Sequence, residues 1–123
     1  MANYSDLLGI KFKVHGRTKE DGFDCYGLAI EVLKRNGIIL EDWFYNRIYD
    51  DKLVNEIVSS INLKEIDTKK NNCIILFNVK NRPLHCGVYI GNGKFIHATE
   101  NCGVRIEPLH LWENRIKGYY DVC

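Results

Sequence analysis

No apolar run in the sequence is longer than a few residues, so it offers nothing like the roughly 20 apolar residues a membrane-spanning helix needs. The first ten residues carry an aspartate and lack the basic start followed by an apolar block that marks a secretion signal. Neither sign of charge is in excess. Seventeen Lys and Arg face sixteen Asp and Glu, a formal +1, which is too even for affinity built on neutralising nucleic-acid phosphates or an anionic membrane surface. Prolines number only two, the ten glycines are scattered, and no segment repeats, so there is no linker at which to draw a domain boundary. Cys-x-x-Cys and paired histidines four residues apart, the usual zinc spacings, are both missing. A metal would have to recruit Cys25, His85, Cys86 and His97, and neither a metal nor another cofactor is expected. Five cysteines in 123 residues are too few for a disulfide-built scaffold, and their odd number leaves at least one thiol unpaired in a chain made in a reducing compartment.

What remains is ordinary globular composition, 46% hydrophobic and 27% charged, in one domain spanning residues 1–123. Residues 24–36 read as a helix: Asp24 is a good N-cap, Leu28, Ala29, Val32 and Leu33 form an apolar stripe, and Asn36-Gly37 is a stop signal. A second helix is expected over about 50–61, where Leu53, Val54, Ile57, Val58 and Ile61 recur at helical spacing. Beyond Lys70 the period changes, and 73–79, 85–90, 94–99, 104–106 and 118–122 read as strands. Helices first and an antiparallel meander afterwards predict an α+β domain, N-terminal helices packed on an antiparallel sheet of about five strands.

The clearest hairpin runs from His85 to Ala98 around Gly91-Asn92-Gly93. A three-residue loop pairs Ile90 with Lys94 and Gly87 with His97. It gathers Cys86, Val88, Ile90, Ile96 and Ala98 on an apolar face and His85, Gly87, Tyr89, Phe95 and His97 on the other. A two-residue loop would flip the faces. In the chosen register His85 and His97 are diagonal neighbours, roughly 7–8 Å apart at the backbone, with Gly87 leaving open space between them.

Cys25 falls in the first turn of the first helix, where the positive helix end favours thiolate by only about 0.3–1 kcal/mol, so a useful nucleophile also needs an imidazole partner. His85 fits as that base and His97 as the polar group orienting it. The Cys25 backbone N–H, free at a helix start, is a candidate oxyanion donor. Cys73, Cys86, Cys102 and Cys123 read as core or surface thiols, and His15 and His110 as loop residues.

Gly22-Phe23-Asp24-Cys25-Tyr26-Gly27-Leu28, followed by the stretch from His85 to Ala98, resembles the NlpC-type family of papain-like cysteine peptidases, which cleave the peptide stems of bacterial peptidoglycan. The likeness runs from about Leu8 to Val122 and is faintest from Glu41 to Asn71. It implies Cys25 as nucleophile, His85 as general base and then acid, and His97 as the orienting third member. It also implies that Asp24 and Tyr26 bind substrate, with Asp24 holding the free amine of the stem peptide in competition with its capping role. The implied substrate bond joins γ-D-glutamate to diaminopimelate or lysine. Phe12 stands where relatives usually have Tyr, and Asn72-Cys73 where they have Gly-Asp. The aromatic Tyr26 and the Asn81-Arg82-Pro83-Leu84-His85 approach are most similar to the bacteriophage tail-associated branch. That likeness implies tail proteins as partners and action at the cell wall by a chain made in the cytoplasm without an export signal. A silent tail or wall-binding component of the same fold, and acyl or amide transfer through the same thioester, remain open alternatives.

Overall fold

The computed structural model describes residues 3–42, 62–78 and 85–122. The helix expected over 50–61, the approach at 81–84 and Cys123 lie outside the described residues.

Helix α1 is Cys25–Arg35, and both ends are set by side-chain chemistry. Asp24 is extended, with φ −85° and ψ −179°, and its Oδ1 accepts the Gly27 N–H at 2.6 Å, satisfying one of the first-turn donors that have no carbonyl to bond. At the other end Gly37 turns with φ +76°, and the N–H groups of Gly37 and Ile38 return to the carbonyls of Lys34 and Leu33 at 3.0 and 2.9 Å. Leu28, Ala29, Val32 and Leu33 are buried, each Leu or Val worth about 1.5–3 kcal/mol of transfer free energy.

Ahead of the helix, β1 (Arg17–Thr18) and β2 (Gly22–Phe23) form a small antiparallel ribbon. The main sheet has six strands: β3 (Leu63–Ile66), β4 (Ile74–Phe77), β5 (His85–Gly91), β6 (Lys94–Thr99), β7 (Gly103–Pro108) and β8 (Ile116–Val122). All pairs are antiparallel, in the spatial order β3-β8-β4-β5-β6-β7. The expected α+β arrangement on an antiparallel sheet is present, with two differences in detail from a simple five-strand meander. Leu63–Ile66 adds a strand at the edge, too short and too charged at Lys64 and Glu65 to stand out in sequence. After β7 a 3₁₀ helix (Leu109–Arg115) intervenes, and β8 then lies between β3 and β4 instead of beside β7.

The hairpin keeps the expected register at the histidines by a different route. Its loop is the two residues Asn92 and Gly93, with φ +55° and +74°, and the closing pair is Gly91 with Lys94. Positive φ at both central positions matches a type I′ turn, whose twist suits a hairpin. On its own this loop would flip the faces, but Ile90 is an extra residue bulged between the Tyr89–Phe95 and Gly91–Lys94 pairs. The bulge restores Gly87 opposite His97.

The strands separate two cores. Cys86, Val88, Ile96, Ala98, Ile74 and Leu76 pack with the α1 stripe and Phe23. On the opposite face Cys73, Ile75, Phe77, Tyr89 and Phe95 pack under Leu109, with Trp112 partly buried against them. β4 is buried on both faces, which is why Ile74 to Phe77 shows no polar alternation.

Candidate active site

Cys25 is the first residue of α1 and is 7% exposed. Its backbone N–H and that of Tyr26 precede the first intrahelical carbonyl partners, so donors and the positive helix end meet at the sulfur. The neighbouring Cys86 and His85 side chains pull the Cys25 thiol down to about 5, against burial and the Asp24 charge, which push it up. Cys86 moves the other way: it is held as a thiol well above its ordinary value by the neighbouring Cys25 and by burial. Of the two thiols Cys25 is the one whose ionisation is favoured. Cys86, read from sequence as a core thiol, is in the core and also lowers the Cys25 thiol.

His85 opens β5, and its Nε2 lies 2.7 Å from Nδ1 of His97. With Nε2 engaged by His97, the nitrogen His85 has for the thiol is Nδ1. His97, on β6, is fully buried. Its Nε2 reaches Glu107 Oε2 on β7 at 2.5 Å, a residue the sequence reading did not single out. Phe95 pairs with Glu107 and His97 with Arg105, so Glu107 approaches His97 along a cross-strand diagonal. Burial and the neighbouring His85 hold His97 down to about 4, with Glu107 opposing them, so His97 is neutral near pH 7.

Aromatic rings wall the imidazoles. Trp112 of the 3₁₀ helix stands edge-on to His97 with ring centres 4.9 Å apart and 6.1 Å from the His85 ring, while Phe95 is 4.5 Å from His97 and Phe77 is 5.6 Å from His85. Gly87 is not open space, contrary to expectation. A Cβ there would stand 2.9 Å from the Phe95 ring, 3.0 Å from the Ile96 carbonyl oxygen and 3.2 Å from His97 Cβ, so glycine lets these groups close in.

Asp24 and Tyr26 are occupied structurally. Asp24 is 3% exposed; besides Gly27 it accepts from Arg17 Nη1 at 2.8 Å and from the His15 N–H at 3.1 Å. The Tyr26 hydroxyl donates to the Glu41 carbonyl, and the Arg17 guanidinium lies 5.8 Å from the centre of its ring. Phe12 bridges Phe23 and packs against the α1 core. Cys73 is buried, and Cys102 is exposed and accepts from Arg105 at 3.4 Å; the four cysteines among the described residues are all free. Among the described residues no group of three or more His, Cys, Asp or Glu side chains is arranged to hold a metal ion.

A buried thiol at a helix start, an imidazole with one nitrogen left for it, and a chain of hydrogen bonds behind that imidazole form an arrangement able to attack a carbonyl and pass a proton to the leaving group. Comparisons with known proteins give the family and the fold neighbours of this chain. The chain is 30% identical over 118 residues to "Murein DD-endopeptidase MepS/Murein LD-carboxypeptidase" of Escherichia coli (strain K12), covering 94% of this chain and 57% of that protein. It is 31% identical over 105 residues to "Gamma-DL-glutamyl hydrolase" of Bacillus subtilis (strain 168), covering 82% of this chain and 23% of that one. It thus spans little more than half of the first relative and under a quarter of the second. Among solved structures, NlpC2 from Trichomonas vaginalis superposes with a TM-score of 0.64 at 25% identity, over 94% of this chain and 44% of that one. The sequence profile of the NlpC/P60 family matches residues 9–120, and the chain belongs to that family.

Proposed function

We propose that this protein is a cysteine endopeptidase of bacterial peptidoglycan, cleaving stem peptides between γ-D-glutamate and diaminopimelate or lysine. The observation that carries the reading is the His85–His97 imidazole pair, joined at 2.7 Å, beside a Cys25 that opens a helix and whose thiol His85 helps to lower. The Cys25 thiolate attacks the scissile carbonyl, and the oxyanion faces the Cys25 backbone N–H. His85, now imidazolium, gives its proton to the leaving amine, and the acyl group stays on sulfur as a thioester. Water, deprotonated by His85, then releases the glutamyl product. His97 keeps the His85 ring aligned throughout. The names of two relatives, a murein endopeptidase and a γ-glutamyl hydrolase, support the substrate class.

Asp24 and Tyr26 border the nucleophile in sequence. For Asp24 to take a substrate ammonium it must share an oxygen already bonded by Arg17, Gly27 or His15. We place the protein at the cell wall as a phage or prophage tail component. The support is the likeness of Tyr26 and of the residues leading into His85 to that branch of the family, with tail proteins as the implied partners. No helix among the described residues is long and apolar enough to cross a membrane.

Incubation of the purified protein with isolated peptidoglycan tests the reading. Fragments ending in γ-D-glutamate are expected, their masses distinct from those of cross-link cleavage, and Cys25→Ala or iodoacetamide should stop their release. Fragment release that survives Cys25→Ala contradicts the mechanism.

A further inference from the structure

Glu107 is outside the three residues given roles above, yet it ends the hydrogen-bond line of the two histidines. We infer that Glu107 is a positioning residue of this active site: its carboxylate pins the His97 proton to Nε2 and so presents a proton-free His85 Nδ1 to the thiol. The inference rests on the role proposed for His85 and deepens it.

The logic is directional. A carboxylate can only accept, so the 2.5 Å contact requires His97 to donate from Nε2. A neutral imidazole carries one ring proton, which leaves His97 Nδ1 an acceptor. The 2.7 Å contact to His85 Nε2 must then be filled by a proton on His85 Nε2. His85 in turn has an empty Nδ1, the nitrogen a base needs toward the thiol. Without Glu107, His97 is free to place its proton on Nδ1, which forces His85 to accept at Nε2 and to hold its own proton toward the sulfur. A neutral His85 in that tautomer cannot take the thiol proton.

The charges around His97 favour this assignment. From β5 it faces His85 and, beyond it, Cys25 of α1; from β7 it faces Glu107 and Arg105. Arg105 is engaged by Cys102. On the 3₁₀ helix the Arg115 guanidinium lies 5.0 Å from the centre of the Trp112 ring, which itself stands edge-on to His97. Glu107 therefore brings the negative charge that also favours an imidazolium on His85 once the thiol has ionised.

Glu107→Ala and Glu107→Gln test the inference through kcat, KM and the pH dependence of Cys25 alkylation by iodoacetamide, resolved by peptide mass spectrometry. Glu107→Ala should lower kcat about 10²-fold at unchanged KM, less than the roughly 10⁴-fold cost of a wrong tautomer when the lost group touches the base directly. It should raise the alkylation midpoint by about one pH unit, a tenfold weaker ion pair. Glu107→Gln conserves size and an accepting oxygen, and should recover most of kcat with part of the midpoint shift. Parent-like kcat and midpoint in Glu107→Ala, or a Glu107→Gln no better than Glu107→Ala, overturns the inference. If the parent releases no peptidoglycan fragments while its alkylation midpoint still follows Glu107, the hydrolytic reading fails and the positioning role stands. Fragment release with a midpoint and kcat indifferent to Glu107 overturns the positioning role and leaves hydrolysis standing.

Discussion

The two faces of the central hairpin have the same strands and opposite physics. Toward α1, Val88, Ile96 and Ala98 meet a helix stripe with no direction to their attraction, and many neighbours share each contact. Toward the 3₁₀ helix, His85 and His97 lie among Phe77, Phe95 and Trp112 and are joined to Glu107 by two hydrogen bonds in series. The first face is redundant and tolerates gradual loss. The second depends on the proton's place at each link, and the apolar rings around it make an unmatched donor or acceptor expensive.

Substitutions on opposite faces sharpen this contrast. His85→Ala, on the polar line, should cut kcat by about 10³-fold or more and also cost about 1–3 kcal/mol of stability, since buried His97 loses the partner of its Nδ1. Steady-state kinetics beside a thermal melt measures both. Ile96→Ala, on the apolar face next to His97 in sequence, should cost about 2–5 kcal/mol of stability by leaving a cavity, with the folded fraction retaining near-parent kcat. Urea unfolding combined with activity per folded molecule checks it; a large fall in kcat at full folding would show the faces to be coupled.

Gly87→Ala tests where the two faces meet. The added methyl stands 3.0 Å from the Ile96 carbonyl oxygen, backbone that cannot swing aside, so about 1–3 kcal/mol of stability should be lost together with some kcat as His97 is displaced. Asp24→Ala should cost about 1 kcal/mol as a lost cap, with a further loss from the Arg17 ion pair, while Arg17 keeps Asp42 and the Gly16 carbonyl. The gentlest effect is a slope. His97 is held down to about 4, so the unfolded chain binds more protons than the folded one between that pH and the ordinary histidine value of about 6.5. Stability should therefore fall as pH drops through this window, and His97→Gln should flatten the fall in pH-dependent urea midpoints.

Much of this arrangement is legible in sequence where local chemistry decides geometry. Asp24 and Asn36-Gly37 bound the helix because capping is a matter of a few neighbouring residues. The histidines share a face because strand alternation is strict. The hairpin loop differs from expectation, yet two departures cancel: a shorter turn and a bulge at Ile90 together reproduce the register of a longer turn. Glu107 stays hidden in sequence because its approach to His97 depends on how β6 and β7 align across the turn at 100–102, where nothing in the pattern of polar and apolar residues sets the register. β8 reads as a strand, but its place beside β4 depends on a 3₁₀ crossing without its own periodic signal. The occupation of Asp24 by Arg17 is equally invisible, since seven residues separate two charges that β1 and the helix start bring together.

The most direct measurement is the ultraviolet absorbance of thiolate in the parent minus that in Cys25→Ser, followed across pH, and repeated in the His85→Ala background. An ion-paired nucleophile gives a difference titration centred near 5 that moves up when His85 is removed. A centre near 8.5, the ordinary thiol value, and indifferent to His85, would contradict it.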